Sequence, residues 1–429
     1  MFFFKENDMN TIKRPQDLRY MKQLQFSLNI VSAWPHKETG DAGSKFVFWW
    51  RLYYAFVEGF FWFLGAAYLK NNYGKISFFE FGHTLITHFM NTIACQRLTL
   101  PFMKKYRDFI GLFVKQFHLF HYKDKSDYAM KIYLRVYKLS DFFSMYLHIL
   151  MYIGIVLFNG TPIYKNILSN AYSSNKPENV TFQHSTYFEL PIDYKHSLTG
   201  YVPLFCFNWY ITFICASFFC MFDLLLTVIV LNVYGHLKIL VYHLEHFMTP
   251  STNSTSHKQK NVFDIMQFSE EEMKTVTIKL KEVISHQRLI TDFIQKMSDI
   301  FGPMVCLNLM YQQVSACILL LECSQMDLLA LLSYGPLTFF VFQELIQLSV
   351  VFELIGATSD DLIDAVYSVP WECMDTKNRK ILYTIMIKSQ MTTKFKAMGM
   401  VDVGVKTMAA ILKTIISYFV MLRTVALQN

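Results

Sequence analysis

The stretch PLFCFNWYITFICASFFCMFDLLLTVIVL, residues 203–231, carries a single charged residue, Asp223. A bilayer core needs about 20 mostly apolar residues per helix, so this stretch predicts a transmembrane helix. The composition agrees, because 53% of the 429 residues are hydrophobic and only 17% are charged, whereas about 25% charged residues is usual in a soluble chain. The mean hydropathy is +0.25. The sequence therefore predicts an all-α integral membrane protein.

Further stretches of similar length and apolarity lie on both sides of this one. Counting them predicts seven transmembrane helices, at residues 46–69, 76–100, 139–160, 203–231, 298–322, 328–354 and 401–424. The second is the weakest of the seven, because Glu80, His83 and His88 interrupt it.

Lys and Arg in the connecting segments predict the orientation, because cytoplasmic loops are enriched in both. Of these residues, 30 lie in segments 1–45, 101–138, 232–297 and 355–400, and 5 lie in segments 70–75, 161–202 and 323–327. The imbalance places the N-terminus in the cytoplasm and, after seven spans, the C-terminus outside the cell. G-protein-coupled receptors have the opposite orientation, so the pattern argues against that class.

The cytoplasmic segments have helical patterns of their own. Residues 233–247 continue the fourth span, residues 263–297 lead into the fifth, and residues 377–391 form a short amphipathic helix. Their apolar faces need partners, so we expect an intracellular helical anchor domain. The chain then divides into a cytoplasmic N-terminal segment, spans one to six, an anchor region, and the last span with a short extracellular tail, at residues 1–45, 46–354, 355–400 and 401–429.

Two glycosylation sequons lie on opposite sides of the predicted membrane. Asn179-Val-Thr181 falls in an extracellular segment and is predicted to be modified. Asn253-Ser-Thr255 falls in a cytoplasmic segment and is expected to stay unmodified. The eight cysteines show no CxxC spacing, and no disulfide framework is predicted.

Histidine pairs suggest a metal site at first sight. They occur at His83 and His88, His118 and His121, and His243 and His246, and membrane di-iron enzymes use histidine boxes of similar spacing. His83 and His88 are five residues apart, roughly 140° around a helix, so their side chains diverge. The other four histidines lie on the cytoplasmic side. We therefore expect no metal, no cofactor and no enzymatic activity.

The last span is amphipathic within the membrane. At about 100° per residue, one face carries small or polar side chains and the opposite face carries large apolar ones. The first face comprises Asp402, Lys406, Ala409, Lys413, Ser417, Val420 and Thr424, and the second comprises Met408, Ile411, Ile415, Phe419 and Leu422.

Lys413 lies in the middle of this span, where contact with lipid costs from about 2.5 to more than 10 kcal/mol. It can snorkel toward an interface, pair with a buried acid, or face water. The candidate acids are Asp223, Glu344 and Glu353. The whole polar stripe favours water, and several copies of such a helix around an axis would form a pore.

Two C-terminal stretches resemble one known family. SDDLIDAVYSVPWECMDTKNRKILYTIMIKSQ, residues 359–390, and ILKTIISYFVMLRT, residues 411–424, resemble the conserved C-terminal motifs of insect odorant receptors. LRYMKQLQF…VSAWP, within residues 18–35, is similar to the N-terminal segment of moth pheromone receptors. The predicted helix count, orientation and short tail agree with that family.

The resemblance implies a heterotetrameric ligand-gated cation channel. An odour-tuned subunit would assemble with the shared co-receptor Orco in the plasma membrane of an olfactory sensory neuron dendrite. The chain lacks the longer loop of the co-receptor between spans four and five, so it resembles the tuned partner. The last span would line the pore, through Lys406, Lys413, Ser417, Val420, Leu422, Arg423 and Thr424, with the gate at Val420.

The resemblance also implies an odorant pocket in the outer half of spans two to six. Helical spacing and the predicted orientation select candidate ligand contacts in spans three to six: Tyr146, Ile149, Ile153, Phe205, Trp209, Phe213, Met310, Gln313, Tyr334, Thr338 and Phe339. Such a pocket suits a long apolar molecule with one oxygen group, so the expected partner is a small apolar odorant or pheromone of the long-chain fatty alcohol, aldehyde or acetate type. A transporter or an orphan seven-helix receptor is the alternative, and a di-iron enzyme is a more remote one.

Overall fold

The structure, a computed structural model, describes residues 12–43, 45–173, 177, 180–251, 267–324, 328–390 and 394–428. Eleven α-helices lie within these residues: α1 (Arg19–Ile30), α2 (His36–Thr39), α3 (Val47–Asn72), α4 (Phe78–Thr99), α5 (Lys104–Leu112), α6 (Asp127–Leu168), α7 (Leu198–Glu245), α8 (Glu270–Cys323), α9 (Leu328–Tyr367), α10 (Thr376–Gln390) and α11 (Val405–Gln428).

Shorter elements connect these helices. Short 3₁₀ helices and one π-helical turn occupy Pro15–Asp17, Leu100–Phe102, Phe113–Phe117, Leu119–His121, Lys123–Lys125 and Trp371–Cys373, and two strands, β1 (Lys396–Ala397) and β2 (Val401–Asp402), form an antiparallel hairpin. The protein is therefore mostly helical, as predicted.

Seven of the described helices have 22 or more residues, and each covers one predicted span. Among the residues described, α3, α6, α7, α8 and α9 are long and apolar enough to cross a membrane. The helix α4, interrupted by Glu80, His83 and His88, falls outside that group, as does α11. Seven crossings with the predicted orientation therefore stay a prediction.

Several helices run well beyond the predicted spans. The predicted cytoplasmic continuation of span four is confirmed, because α7 extends to Glu245 without a break. The long helix α8 begins at Glu270. Just before it, the Ser269 hydroxyl accepts a hydrogen bond from the backbone amide of Glu272, and the Glu272 carboxylate accepts one from the backbone amide of Ser269. This reciprocal capping box satisfies two amides at the helix start. The third predicted cytoplasmic helix is α10.

The last helix begins later than the sequence pattern predicts. Asp402 lies in β2, opposite Lys396, and so is not part of the helical stripe. The turn of the hairpin uses Gly399 at φ +72°, a conformation that favours glycine. The carboxylate of Glu353 on α9 accepts the backbone amide of Val405 at 2.9 Å, and this contact fixes the start of α11.

The helix α7 is the centre of the bundle. Every side chain from Met221 to Leu237 is buried, and α7 packs against α4, α6, α8 and α9. By contrast, α3 exposes Phe48, Trp49 and Phe56, which suits a helix at the lipid boundary. The fully buried stretch of α7 therefore requires that its one acid, Asp223, find a partner inside the protein.

Arg97 of α4 is that partner. One of its terminal nitrogens lies 3.0 Å from Oδ1 of Asp223, and both side chains are buried. The other terminal nitrogen donates to the backbone carbonyls of Phe218 and Phe219, and the guanidinium lies 4.4 Å from the ring centre of Phe219. A buried ion pair with these extra partners ties α4 to α7.

We predict that Arg97→Ala destabilises the fold by about 3–5 kcal/mol, because it leaves the Asp223 carboxylate buried without its countercharge. The double variant Arg97→Met/Asp223→Leu should recover most of this loss, since an apolar pair replaces an ion pair at little net cost. The thermal unfolding midpoint of the purified protein is the measurement. Arg135→Ala, at an exposed position without an ion pair among the described residues, is the control. A double variant as unstable as the single one would contradict this interpretation.

Candidate functional site

A cavity of about 170 Å³ lies in the middle of the bundle. Its walls come from α4, α6, α7 and α9, with Tyr311 contributed by α8. Apolar side chains such as Met151, Ile155, Phe219 and Phe340 form most of the surface. On α7 the lining residues fall between positions 211 and 223, within the fourth predicted span. The cavity therefore lies at the depth of the apolar part of α7.

One end of the cavity is polar. Asp223 and Glu344 both reach its wall, and each already has a partner behind it. Asp223 pairs with Arg97, and Glu344 accepts a hydrogen bond from the Asn308 side chain at 2.8 Å. The threonine, asparagine and glutamine side chains of the lining, including Asn91, add uncharged donors and acceptors. The site therefore combines a large apolar surface with a few polar groups, which is typical of small-molecule pockets.

A segment between α6 and α7, predicted to be extracellular, forms part of the cavity wall. Thr186, Tyr187 and Phe188 belong to the lining, although no helix contains them. The hydroxyl of Ser185 donates to Asn159 of α6 at 2.9 Å, and that of Thr186 donates to Asn208 of α7 at 3.2 Å. The segment 185–188 is thus tied to both neighbouring helices. The sequence carries no signal for this segment, because its residues follow no helical or strand pattern.

None of the eleven predicted ligand contacts lines this cavity. The cavity is lined by the same helices that carry the predicted contacts, but through neighbouring residues on each helix. Those neighbours are Leu147, Leu150, Met151, Gly154 and Ile155 on α6, Ile211, Cys215 and Phe219 on α7, Tyr311 on α8, and Leu337, Phe340 and Val341 on α9.

The predicted residues instead face outward or pack elsewhere. About half of each side chain is exposed at Ile149, Ile153, Met310 and Phe339. The remaining predicted residues are half-buried against neighbouring helices or the outer loop: Tyr146, Phe205, Trp209, Phe213, Gln313, Tyr334 and Thr338. The aromatic repeat on α7 marks packing rather than the cavity wall, because Phe205 stacks on Tyr201 at 5.6 Å. A contact of any of these residues with a ligand stays a prediction.

The last helix turns its polar stripe away from the bundle. Ile415 is fully buried, and Met408 and Ile411 pack against the core. The predicted pore residues Lys406, Lys413, Ser417, Val420, Arg423 and Thr424 are exposed, and the side chain of Leu422 is outside the described part of the structure. The apolar face of α11 thus packs as its pattern predicts. A role of the stripe in a pore stays a prediction.

Each of the three acids considered as partners for Lys413 is engaged elsewhere. Asp223 pairs with Arg97, Glu344 accepts from Asn308, and Glu353 accepts the Val405 amide. Lys413 takes part in none of the ion pairs found within 4.0 Å among the described residues. The buried salt bridge considered for this lysine is therefore not formed within the chain.

The histidines of the metal hypothesis lie in separate environments. The ring of His83 reaches the backbone oxygen of Ser185 at 3.3 Å, and His118 is hydrogen-bonded to the hydroxyl of Tyr20 at 2.7 Å. Among the described residues, no three His, Cys, Asp or Glu side chains are grouped as a metal would require. The predicted glycosylation site Asn179 lies outside the described residues.

Two comparisons with known proteins agree with this architecture. The fold is similar to that of the insect olfactory receptor OR5 from Machilis hrabei, with a TM-score of 0.75 and 13% identity, covering 95% of this chain and 98% of that one. The structure of OR5 in complex with eugenol matches to the same extent. A search of curated protein sequences finds no significant match. The family model described as 7tm Odorant receptor matches residues 83–416, which is most of the sequence, and the chain therefore belongs to the odorant receptor family.

Proposed function

We propose that this chain is the odour-binding subunit of a ligand-gated cation channel and that its ligand binds in the cavity between α4, α6, α7 and α9. The observation that carries the proposal is the cavity itself, which is mostly apolar and supplied with a few polar groups. OR5, which shares the fold, has been solved with eugenol. Burial of an apolar ligand contributes about 0.8 kcal/mol per CH₂ group, so shape and size decide much of the affinity.

The cavity volume favours a compact ligand. A cavity of about 150 Å³ lined by aliphatic and aromatic side chains accepts benzene, and this one is close to that size. A long-chain pheromone, which the resemblance to moth receptors suggests, would have to extend between the helices beyond the cavity. We therefore propose a small apolar odorant with one polar group, which the threonine and amide side chains would orient.

The helix α9 connects the cavity to the proposed pore helix. Phe340 and Glu344 line the cavity, and Glu353, further along the same helix, accepts the first amide of α11. The start of α11 packs closely against α9, because a Cβ added at Gly404 would lie only 2.6 Å from Oε2 of Glu353. A displacement of α9 by ligand would thus reach α11 directly. Opening would follow if the ligand fits the displaced position better.

The wider assembly is proposed from the family and from the exposed stripe of α11. With the seven membrane crossings and the orientation that the Lys and Arg pattern predicts, the N-terminus would lie in the cytoplasm and the stripe within the membrane. The co-receptor Orco would complete a heterotetramer around a central pore in the plasma membrane of sensory neuron dendrites. Residues 355–400, which include α10, would anchor the subunits on the cytoplasmic side.

Expression of this chain together with Orco should give odour-evoked cation current, and either chain without the other should give no response to the same odour. The physical reason is that this chain supplies the ligand cavity while the pore needs both kinds of subunit. Patch-clamp recording during an odour screen is the measurement. Odour-evoked current from this chain alone would contradict the heteromer.

The adjacent residues Phe339 and Phe340 test whether the ligand binds in the cavity or on the helix face that the sequence pattern predicts. Phe340→Leu alters the cavity wall and should raise the half-maximal odour concentration about tenfold, since one aromatic contact is lost. Phe339→Leu is the matched control, because Phe339 is 61% exposed and outside the cavity. Concentration–response curves at equal surface expression make the comparison. A larger increase in half-maximal odour concentration for Phe339→Leu than for Phe340→Leu would show that the ligand contacts the helix face that includes Phe339.

Reversal of charge at Lys413 tests the proposed pore face. Lys413→Glu replaces a cation by an anion on the exposed stripe, so the permeability ratio of cations to anions or the rectification should change. The readout is the reversal potential in asymmetric salt. Lys281→Glu, at an exposed cytoplasmic position, should leave both unchanged. Normal current with unaltered selectivity would show that Lys413 does not face the ion path.

A further inference from the structure

A second cavity, of about 610 Å³, lies outside the predicted membrane spans in the intracellular part of the protein. It is formed by the end of α7, the start of α8 and the segment 122–125. Apart from tyrosines, six ionisable side chains line it. Glu282 is the only acid among these six, and the five basic residues are Lys125, Lys279, His243, His246 and His286. The odorant cavity has the opposite character, because its ionisable lining includes Asp223 and Glu344.

The two lysines of this basic cavity have no acidic partner at contact distance. Neither Lys125 nor Lys279 takes part in an ion pair within 4.0 Å among the described residues, although nearby Lys238 pairs with Asp361 at 2.8 Å. Lys125 instead lies 3.9 Å from the ring centre of Tyr122. General enrichment of lysine in cytoplasmic segments explains their presence. It does not explain why both line one cavity in which Glu282 is the single acid and forms no ion pair with either of them within 4.0 Å.

The histidine wall of the cavity is held in place from behind. His286 is hydrogen-bonded through Nε2 to Nδ1 of His236 at 2.9 Å, and Nε2 of His236 donates to the carbonyl oxygen of Phe117 at 2.6 Å. The ring of Tyr122 stacks on His286 at 5.3 Å. Burial lowers the pKa of His236 to about 4 and that of His286 well below its ordinary value, so both rings are neutral at cellular pH. The fixed positive charge of the cavity therefore comes from the lysines.

The position of the cavity excludes direct contact with the lipid surface. His243 lies 12 residues beyond the predicted end of the fourth span at 231, or about 18 Å along a helix that rises about 1.5 Å per residue. The headgroup layer on each side of the hydrocarbon core is only about 5–8 Å thick. An anion that reaches this cavity is therefore in solution rather than in the bilayer.

We propose that the basic cavity binds a soluble organic polyphosphate, such as an inositol polyphosphate, on the cytoplasmic side. Ammonium groups recognise phosphate through short charge-assisted hydrogen bonds. The volume is in the range of about 300–1,000 Å³ that small-molecule sites occupy. The bound anion would join α7, α8 and the segment 122–125. The proposal depends on the predicted orientation of the chain and not on the odorant cavity.

The test is titration of the purified full-length chain, in nanodiscs of neutral lipid and without odorant, with inositol hexakisphosphate. We expect saturable binding of one molecule per chain, with an affinity that falls as salt concentration rises. Lys125→Gln/Lys279→Gln should lower the affinity by about tenfold or more, because two charge-assisted contacts are lost. Lys131→Gln/Lys281→Gln removes the same charge at exposed positions outside the lining and should leave the affinity unchanged.

A charge-retaining variant and a lipid experiment complete the design. Lys125→Arg/Lys279→Arg should bind nearly as well as the original chain, and the unfolding midpoint without ligand shows whether each variant is folded. Equal affinity of the Gln variant and the original chain would overturn the proposal. So would absence of binding to inositol hexakisphosphate combined with binding to a phosphoinositide incorporated in the nanodisc. Because no odour response is measured, either result leaves the proposed receptor function untouched.

Discussion

The bilayer offers no water to buried polar groups, and this constraint determines how the bundle is held together. Each ionised side chain inside the predicted membrane region needs a partner in the protein. Asp223 finds Arg97 across the α7–α4 contact, and Glu344 finds Asn308 across the α9–α8 contact. Movement of these helices would break the Arg97–Asp223 ion pair or leave the buried Glu344 carboxyl without its hydrogen-bond partner, and both changes are costly in a medium of low dielectric. Asp223 and Glu344 both line the apolar cavity, so these two contacts help to fix the shape of its wall.

The helices of the bundle were predictable, whereas the faces that line the cavity were not. The seven apolar stretches and the cytoplasmic extensions all became helices near the expected residues, because length and hydropathy decide them locally. The orientation of each helix about its axis depends on its neighbours. On α7 the repeat of Phe205, Trp209 and Phe213 had the right period, but these side chains pack against other parts of the protein and do not line the cavity. In a bundle surrounded by lipid, apolar residues occur on every face, so apolarity does not separate cavity from membrane.

Two further features depend on contacts between residues distant in sequence. The segment 185–188 has no periodicity, and it belongs to the cavity only because Asn159 and Asn208 hold it there. The start of α11 shifts from 401 to 405 because of the β-hairpin and the carboxylate of Glu353. The orientation of α11 was nonetheless predictable, since one face of that helix is apolar and the other is not. Amphipathic patterns predict faces in a membrane protein, and uniformly apolar patterns do not.

The charge on α11 also bears on the composition of the proposed channel. The three acids considered as partners for Lys413 bind Arg97, Asn308 and the Val405 amide instead. The charge of Lys413 therefore remains on the exposed stripe. Four copies of the chain around one axis would place four such charges at the same depth, where they would repel cations and one another. A cation pore is easier to build when some subunits carry no lysine at this position. Given the tetramer and the cation selectivity that the family resemblance implies, Lys413, which forms no ion pair among the described residues, is a physical reason to propose assembly with a subunit that lacks this lysine.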